Sequence, residues 1–320
     1  MPNYLMTTQG HAVYYTELGN PVGIPLLFVH GGPGSGCNPA HADLLYPQGF
    51  RIIQFDQRGC GRSTPGGRLL GNRTCDLLRD MEHLRQHLSI AQWVIYGGSW
   101  GATLALEYAK HYPQQVLGLL LRGAFLARQQ DWEWFSLPQG VAQQFPVAYQ
   151  ALLQHLQVRQ GENPANSLYR HLLNPRLETE TAYRYALAWD GWEAAVMGLP
   201  APRCNPDPAS WQARINRARV YSHYACRQFF LPTAGVLPGL ERIQHLPLLL
   251  VHGRHDRVCR YVGAQTLATA LPKAQLIPVA AGHGLHEAAL QQALAEAASK
   301  LFQHLHRTID NTTHQAIKET

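Results

Sequence analysis

Charge, cysteine and long apolar runs are all scarce in this sequence of 320 residues. Only 15% of the residues are charged, whereas 46% are hydrophobic. This balance fits a chain with a sizeable core and excludes intrinsic disorder. No apolar run approaches the ~18 residues that cross a bilayer, and the polar first ten residues lack the apolar stretch of a signal peptide. We therefore expect no membrane partner.

The six cysteines are dispersed, at Cys37, Cys60, Cys75, Cys204, Cys226 and Cys259. They form no CxxC pair and no Cys/His cluster with zinc spacing, so no metal site is predicted. Free and mostly buried thiols in a reducing cytoplasm are the simplest interpretation.

The formal net charge of +6 and the isoelectric point near 9.1 raise the question of nucleic-acid binding. Most of the positive charge is arginine scattered singly, as at Arg51, Arg58, Arg68 and Arg79. No basic run and no RNA-binding motif is present, so we expect a mildly basic protein without a nucleic-acid partner.

The first third of the chain alternates short apolar runs with helical patterns. Continuous apolar runs at residues 25–30 and 50–55 are typical of strands buried on both faces of a sheet. The pattern predicts further strands at 12–18, 93–96 and 116–121. It predicts one helix at 74–88 and another that begins after the glycines following residue 96 and ends at residue 112. Strand and helix in repetition predict an α/β fold with a mostly parallel sheet flanked by helices.

Between residues 125 and 243 strand-like runs vanish, and Trp and Tyr become common. Apolar residues at helical spacing mark amphipathic helices near 145–156 and 182–189. Strand-like runs resume at 247–252 and 275–279, before a last helix at about 285–305. The predicted α/β core has two parts, at residues 1–124 and 244–306. A helical cap at 125–243 is inserted between them, and a polar, frayed tail follows at 307–320.

A nucleophile elbow is predicted at Ser99. Gly97, Gly98, Ser99, Trp100 and Gly101 fit G-x-S-x-G, directly after a predicted strand and at the start of a helix. Small residues must flank the serine because the turn is tight, and the turn lifts the hydroxyl above the sheet edge. A glycine-rich turn with a capping serine is the structural alternative.

An oxyanion hole is predicted from the loop HGGPG at residues 30–34, which follows the strand at 25–30. Acyl transfer places negative charge on the former carbonyl oxygen, and two backbone N–H groups aimed at that oxygen stabilise the charge. We assign these donors to Gly32 and to Trp100, the residue after the nucleophile.

A serine hydroxyl needs a base, and the base needs an orienting acid. In this type of site the chain order is Ser, then Asp or Glu, then His. Asp256 follows a predicted strand, and His283 lies beyond the next strand, so we predict Asp256 as the acid and His283 as the general base. His286 is the nearest rival to His283, whereas His252 and His255 are expected to pack at the sheet edge.

These residues resemble the proline iminopeptidases (prolyl aminopeptidases) of the α/β-hydrolase superfamily. The resemblance spans about residues 10–305. The segments that carry it are HGGPG at 30–34, DQRGCGRS at 56–63, GGSWG at 97–101, LRGAF at 121–125, W-x-x-W-E at 189–193, VHGRHD at 251–256 and AGH at 281–283.

The resemblance implies an α/β-hydrolase fold and a serine exopeptidase that removes an N-terminal proline from peptides. It implies that Ser99, Asp256 and His283 form the triad and that Glu193, in the cap, holds the free amino group of the substrate. We expect the proline ring to pack among aromatic cap residues, namely Trp134, Phe135, Trp189 and Trp192.

One position departs from the family pattern. The family usually carries a second acid in a segment A-R-I-E-x-H-Y, which reads A-R-V-Y-S-H-Y at residues 218–224, so Tyr221 stands in place of the acid. Tyrosine forms hydrogen bonds but adds no charge at neutral pH. The amine site is then either weaker or completed by Glu133, Asp190 or a water.

The remaining residues of the 56–63 segment are interpreted as structural. We expect Arg58 and Arg62 to tie loops together and Cys60 to be a packed thiol. The predicted mechanism needs no metal or organic cofactor. The alternatives are an esterase or a broader aminopeptidase or amidase with the same triad, and a non-catalytic binding protein. Ser99 in place of an Asp disfavours dehalogenase and epoxide hydrolase activities.

Overall fold

The computed structural model describes residues 3–318, which form one mixed sheet with helices on both faces. The strands are β1 (Asn3–Met6), β2 (Ala12–Gly19), β3 (Pro25–Val29), β4 (Arg51–Phe55), β5 (Trp93–Gly98), β6 (Val116–Arg122), β7 (Leu248–Gly253) and β8 (Ala274–Val279). The helices are α1 (Thr74–His87), α2 (Trp100–His111), α3 (Gln129–Ser136), α4 (Pro146–His155), α5 (Pro164–Leu172), α6 (Thr179–Val196), α7 (Trp211–Ala225), α8 (Tyr261–Ala270) and α9 (Ala288–Lys318).

The strand order is β1-β2-β4-β3-β5-β6-β7-β8. Strands β1 and β2 pair in antiparallel fashion, and β2 pairs antiparallel with β4, whereas all pairings from β4 to β8 are parallel. The predicted mostly parallel sheet is therefore confirmed. Because the parallel strands share one direction, their carboxyl ends meet at one edge, where ligands bind in open α/β sheets.

The central strands are apolar without a break because both of their faces are covered. In β3, Leu27 and Val29 pack with α1, α2 and the cap, whereas Leu26 and Phe28 face the layer that contains α9. Strands β4 and β5 divide in the same way. Side chains alternate between the faces with a period of two, so only a continuous apolar run can fill both cores.

Helices α3 to α7 lie between β6 and β7, within the segment 125–243, which we call the cap. Its interior is aromatic: the Phe135 and Trp192 rings are 5.9 Å apart, and the Tyr149 and Trp192 rings are 5.2 Å apart. Cap and core also touch directly, because a Cβ atom at Gly34 would lie 2.6 Å from the carbonyl oxygen of Arg217 in α7.

Two terminal predictions were incomplete. Strand β1 was not predicted because only Leu5 of its four residues is buried, while the exposed Tyr4 and Met6 hide the strand pattern. The frayed tail at 307–320 is wrong as far as Lys318, because α9 continues to that residue, and 319–320 lie outside the described residues. Among the side chains that the structure describes, up to residue 309, the last buried apolar one is Leu305, but a helix continues past its buried face on backbone hydrogen bonds alone.

A buried histidine joins the cap to the core. His223 Nε2 in α7 lies 2.9 Å from the carbonyl oxygen of Asn72, and the Tyr224 hydroxyl donates to Asn72 Oδ1 at 2.8 Å. Burial lowers the pKa of His223 from 6.5 to about 4. The imidazole is therefore neutral in the folded protein at pH 7.

The pKa of His223 makes the stability of the fold depend on pH. Between pH 6.5 and about 4 the His223 imidazole is protonated in the unfolded chain but neutral in the folded protein, so acidification favours unfolding. We expect this group alone to lower the free energy of unfolding by ~2 kcal/mol between pH 7 and pH 5. Urea titrations should show a flatter pH dependence for His223→Gln than for the wild type. Equal pH dependence in both proteins would contradict the prediction.

Candidate active site

Ser99 occupies a strained turn between β5 and α2. Its φ of 57° and ψ of −122° lie in a region that non-glycine residues rarely adopt. A Cβ atom at Gly97 would lie 2.3 Å from the Gly101 carbonyl oxygen, and one at Gly101 would lie 2.2 Å from the carbonyl oxygen of Val29. Both flanking positions therefore require glycine, as the tight turn predicted from G-x-S-x-G demands.

Asp256 lies in the loop after β7, buried and fully hydrogen-bonded. Its Oδ2 is 2.7 Å from His283 Nδ1, while its Oδ1 accepts from the backbone N–H groups of Val258 at 2.9 Å and Cys259 at 2.8 Å. Burial alone would raise the pKa of this carboxyl, but the charge and hydrogen bond of His283 hold it below its usual value. Asp256 therefore stays ionised beside the imidazole.

His283 follows β8 and is held in place from several sides. Arg122, at the end of β6, donates to its carbonyl oxygen, and Gly123 packs against its ring. Because Asp256 binds Nδ1, Nε2 is left as the ring nitrogen available to a substrate or to Ser99. His286, the rival candidate, is exposed, and its imidazole packs over Gly284 instead.

Ser99 and His283 line the same cavity. Among the described residues Ser99 Oγ forms no hydrogen bond with His283, and its recorded side-chain neighbour is Cys259 Sγ at 4.0 Å. Hydrogen bonds between catalytic groups are often long in ligand-free sites and tighten when substrate binds. Burial raises the pKa of the Cys259 thiol well above its usual value, so this sulfur is neutral beside the serine.

The loop at residues 30–34 lies directly over Ser99. A Cβ atom at Gly31 would be 3.4 Å from the Ser99 Cβ, and Gly32 has a φ of +115° that favours glycine. Trp100 is the first residue of α2, so its N–H belongs to the first turn, whose N–H groups have no partner within the helix. Gly32 lines the same cavity as Ser99, and Trp100 directly follows Ser99 in the chain. Their roles as oxyanion donors stay predictions.

Two residues that the sequence reasoning did not assign hold this loop against the elbow. His30 Nε2 accepts the Gln57 backbone N–H at 3.0 Å, and Gln57 Nε2 donates to the His30 carbonyl at 2.8 Å. The Trp100 indole then donates to Gln57 Oε1 at 3.0 Å. Burial lowers the pKa of His30, which keeps its imidazole neutral and able to accept. The sequence could have pointed to both residues, because His30 belongs to the HGGPG segment and Gln57 to the DQRGCGRS segment.

The rest of the 56–63 segment is structural. Buried Arg58 pairs with Asp80 through two nitrogens, and Arg62 pairs with Asp56 at 3.1 Å. Burial raises the pKa of the Cys60 thiol, which leaves it protonated and packed. None of these three side chains lines the cavity at Ser99.

The active-site cavity, of about 310 Å³, lies between core and cap. The segment 125–243 contributes aromatic walls at Phe125, Trp132, Phe135, Tyr221 and Phe229, and the core adds Phe28 and Tyr96. Of the four aromatic residues predicted to surround a proline ring, Phe135 alone lines it. Trp189 and Trp192 are buried inside the cap, against Tyr221 and Tyr149, and Trp134 donates its indole N–H to the Arg257 carbonyl outside the cavity. Helical periodicity marks a buried face, but does not separate the cap interior from a cavity wall.

Glu193 lies in the cavity wall as expected, but it already has partners. Its Oε2 is 2.5 Å from Arg217 Nη2, and its Oε1 accepts the Trp189 indole N–H at 3.2 Å. Burial raises the pKa of Glu193, while Arg217 acts in the opposite direction. Tyr221 lines the cavity, and its hydroxyl makes no hydrogen bond to any described residue.

Neither acid proposed to replace the missing second carboxylate lines the cavity. Asp190 faces Arg214 at 3.4 Å and Arg217 at 3.6 Å, and Glu133 accepts from Gln129 at 2.6 Å on the surface. The position of the missing acid is thus occupied by the neutral Tyr221, with the cationic Arg217 one helical turn earlier in α7.

A family model described as alpha/beta hydrolase fold matches residues 24–289. A probable proline iminopeptidase of Leptolyngbya boryana is 39% identical over 293 residues, covering 91% of this chain and 90% of the relative. A proline iminopeptidase of Neisseria meningitidis serogroup A is 36% identical and covers 94% and 96%, and one of Arabidopsis thaliana is 36% identical and covers 93% and 78%. The chain belongs to the proline iminopeptidase family of α/β hydrolases.

The family resemblance carried by the motifs is therefore confirmed, and the protein is a hydrolase. Solved structures are similar in fold alone. A bromoperoxidase from Bacillus anthracis is 17% identical with a TM-score of 0.62, covering 95% of this chain and 100% of its own. An esterase from Exiguobacterium antarcticum is 19% identical with a TM-score of 0.61, covering 94% and 99%. Among the described residues no helix is long and apolar enough to traverse a bilayer.

Gly123 is expected to be essential for the position of the base. A Cβ atom there would lie 3.2 Å from His283 Nδ1 and 3.4 Å from Asp256 Oδ2, and the φ is +53°. Gly123→Ala should push the imidazole off its carboxylate and lower kcat by roughly 10²-fold. The rate of Ser99 labelling by a fluorophosphonate should fall in parallel.

Gly161→Ala is the matched control for Gly123→Ala. Gly161 also has a positive φ, of +76°, but a Cβ atom there would have no neighbour within 4 Å. This variant carries the backbone strain without the contact to the site, so its kcat should equal that of the wild type. A Gly123→Ala protein as active as Gly161→Ala would contradict the positioning role.

Proposed function

We propose that this protein is a serine exopeptidase that releases proline from the N-terminus of peptides. The observation that carries the proposal is a single cavity with Ser99, His283 and its Asp256 partner on the core side and the Glu193 carboxylate on the cap side. The cavity thus combines an acylation site with a group that can bind a positively charged amine. The names of the relatives support the same activity.

In the first half of the reaction His283 Nε2 takes the Ser99 proton as Oγ attacks the prolyl carbonyl carbon. The N–H groups of Gly32 and Trp100 stabilise the resulting oxyanion, each worth roughly 3–4 kcal/mol of the barrier. The imidazolium then protonates the leaving nitrogen, and the peptide bond breaks. The products are a prolyl ester on Ser99 and a peptide shortened by one residue.

In the second half a water molecule replaces the departed amine. His283 takes a proton from this water as its oxygen attacks the ester carbonyl, and the same two N–H groups stabilise the second oxyanion. The proton then returns to Ser99 Oγ as the ester bond breaks. Proline leaves, and every group of the site is restored for the next substrate.

Exopeptidase action follows from the apolar faces and the charge in the cavity wall. The aromatic residues Phe125, Trp132 and Phe135 offer apolar faces to a pyrrolidine ring. A carboxylate has more acceptor sites than the Arg217 and Trp189 donors use, so Glu193 can also accept from a secondary ammonium group. An internal proline has no charge to offer Glu193.

A broader aminopeptidase or an esterase is the second candidate, and one observation favours it. Tyr221 contributes no negative charge, and Arg217 places a positive charge against Glu193 at 2.5 Å. The local charge therefore attracts an amine less strongly than two unpaired acids would. Such a site depends more on ring packing and less on the amine.

We also infer a cytoplasmic location. Its support is the set of six free cysteines, two of them exposed, at Cys75 and Cys204. Exposed and unpaired thiols persist in a reducing compartment.

Ser99→Ala tests the mechanism, and a panel of arylamides tests the specificity. The variant should keep the wild-type circular dichroism and Tm while kcat falls at least about 10⁴-fold, because its nucleophile is gone.

The wild type should cleave prolyl arylamide, cleave alanyl arylamide poorly and leave the N-acylated prolyl compound uncleaved. Turnover near the wild-type rate in Ser99→Ala, or free cleavage of the N-acylated substrate, would refute the assignment.

Glu193→Gln tests the amine site. Losing a charge-assisted contact should raise KM for prolyl arylamide about 10- to 100-fold, with a smaller change in kcat. Because burial raises the pKa of Glu193 above 4.5, KM of the wild type should begin to rise on acidification at a higher pH than for an exposed Glu. Glu133→Gln changes a half-buried carboxylate outside the cavity; it is the matched control and should leave KM unchanged. Equal KM values for both variants would exclude Glu193 as the amine partner.

A further inference from the structure

A second cavity, of about 320 Å³, opens beside the catalytic histidine. The end of α6 and the following turn form one wall, at Val196–Gly198, and the loops after β7 and β8 form the others. His283 and Met197 line both this space and the active-site cavity. His283 therefore stands at the junction of two compartments.

The mechanism assigns different parts of the substrate to these compartments. The prolyl group fills the active-site cavity, which contains Ser99, Glu193 and the aromatic wall. The leaving nitrogen must sit at His283 Nε2, because that atom protonates it. The chain that continues from this nitrogen needs space beyond the active-site cavity, and the second cavity is space that His283 also lines.

The side chains around the second cavity include one guanidinium and two imidazoles. His255 and Arg257 come from the loop after β7, and His286 from the loop after β8. All three are exposed, and the Arg257 guanidinium forms no ion pair or hydrogen bond with any described residue. Its recorded contact is with the Phe145 ring, at 5.5 Å. Arg257 is thus a cation with its donors available beside the leaving-group path.

The one acid in this lining is already engaged. Both Glu287 carboxylate oxygens accept the Gly282 backbone N–H, at 2.9 and 3.0 Å. This contact draws the carboxylate toward the loop backbone. The donors that remain for a bound molecule are the guanidinium and the two imidazoles, which suits an anion.

We propose that the second cavity binds the C-terminal carboxylate of short peptide substrates, with Arg257 as the principal partner. The proposal rests on the proposed exopeptidase function. In a dipeptide the α-carboxylate belongs to the residue that leaves, and each further residue moves it by at most ~3.6 Å. Arginine binds carboxylates through paired N–H donors. The substrate class is therefore short peptides with N-terminal proline and a free C-terminus.

The experiment compares Pro-Ala with Pro-Ala-amide, and Pro-Ala-Ala with its amide, in the wild type and in Arg257→Gln. The wild type should favour the free acid of at least one pair by about tenfold in kcat/KM, mainly through KM. In Arg257→Gln the ratio of kcat/KM for the acid to kcat/KM for the amide should fall. It should approach the value that the intrinsic reactivity of the two leaving amines sets, and this reactivity is the same in both enzymes. Arg257→Lys should restore part of the preference, and added salt should weaken it.

Arg254→Gln is the matched control. Arg254 lies three residues away, is exposed, contacts the Tyr261 ring at 5.9 Å and does not line the cavity. Its loss should leave the preference for the free acid intact. Prolyl arylamide carries no carboxylate, so all of these variants should cleave it at the wild-type rate, which also verifies their folding.

The outcomes separate this proposal from the function on which it rests. Failure of the wild type to cleave prolyl arylamide would overturn the exopeptidase assignment. Normal cleavage of the arylamide, with the same acid-to-amide ratio in the wild type and Arg257→Gln for both peptide lengths, would overturn the carboxylate site alone.

Discussion

The buried carboxylate of Asp256 is the constraint on which the rest of the site depends. A charge that is only 5% exposed is costly unless donors surround it. Two backbone N–H groups satisfy Oδ1 and His283 satisfies Oδ2, so the loops after β7 and β8 are fixed relative to each other. In the proposed mechanism the carboxylate is therefore already in place to stabilise the imidazolium that forms when His283 takes a proton.

Close backbone contacts bring the nucleophile to the same edge of the sheet. The elbow at Ser99 needs glycine at 97 and 101 because the helix α2 and the strand β3 approach it within contact distance. The cap then rests on the loop at 30–34 through the Arg217 backbone. Chemistry thus comes from the core and selection from the cap, since the cavity forms only where the two meet.

Much of the core could be predicted from sequence. Strands β3 and β5 are buried on both faces, so unbroken apolar runs identified them. The aromatic wall could not be predicted in the same way. Trp189, Trp192 and Phe135 all look like buried cap residues, and the relative rotation of α3, α6 and α7 determines that Phe135 and Trp132 face the cavity whereas the other two tryptophans pack inside the cap.

The sequence by itself determined the fold class and the chain order of Ser99, Asp256 and His283, because these depend on local patterns and motif spacing. The resemblance to the family added that Tyr221 stands in place of an acid. Only the tertiary structure decided that Arg217 pairs with Glu193, that Cys259 lies beside Ser99 and that Arg257 opens onto a second cavity. Each of these contacts joins side chains from separate helices or loops. No local pattern encodes such contacts, because they arise only when the packed elements fix the distances between them.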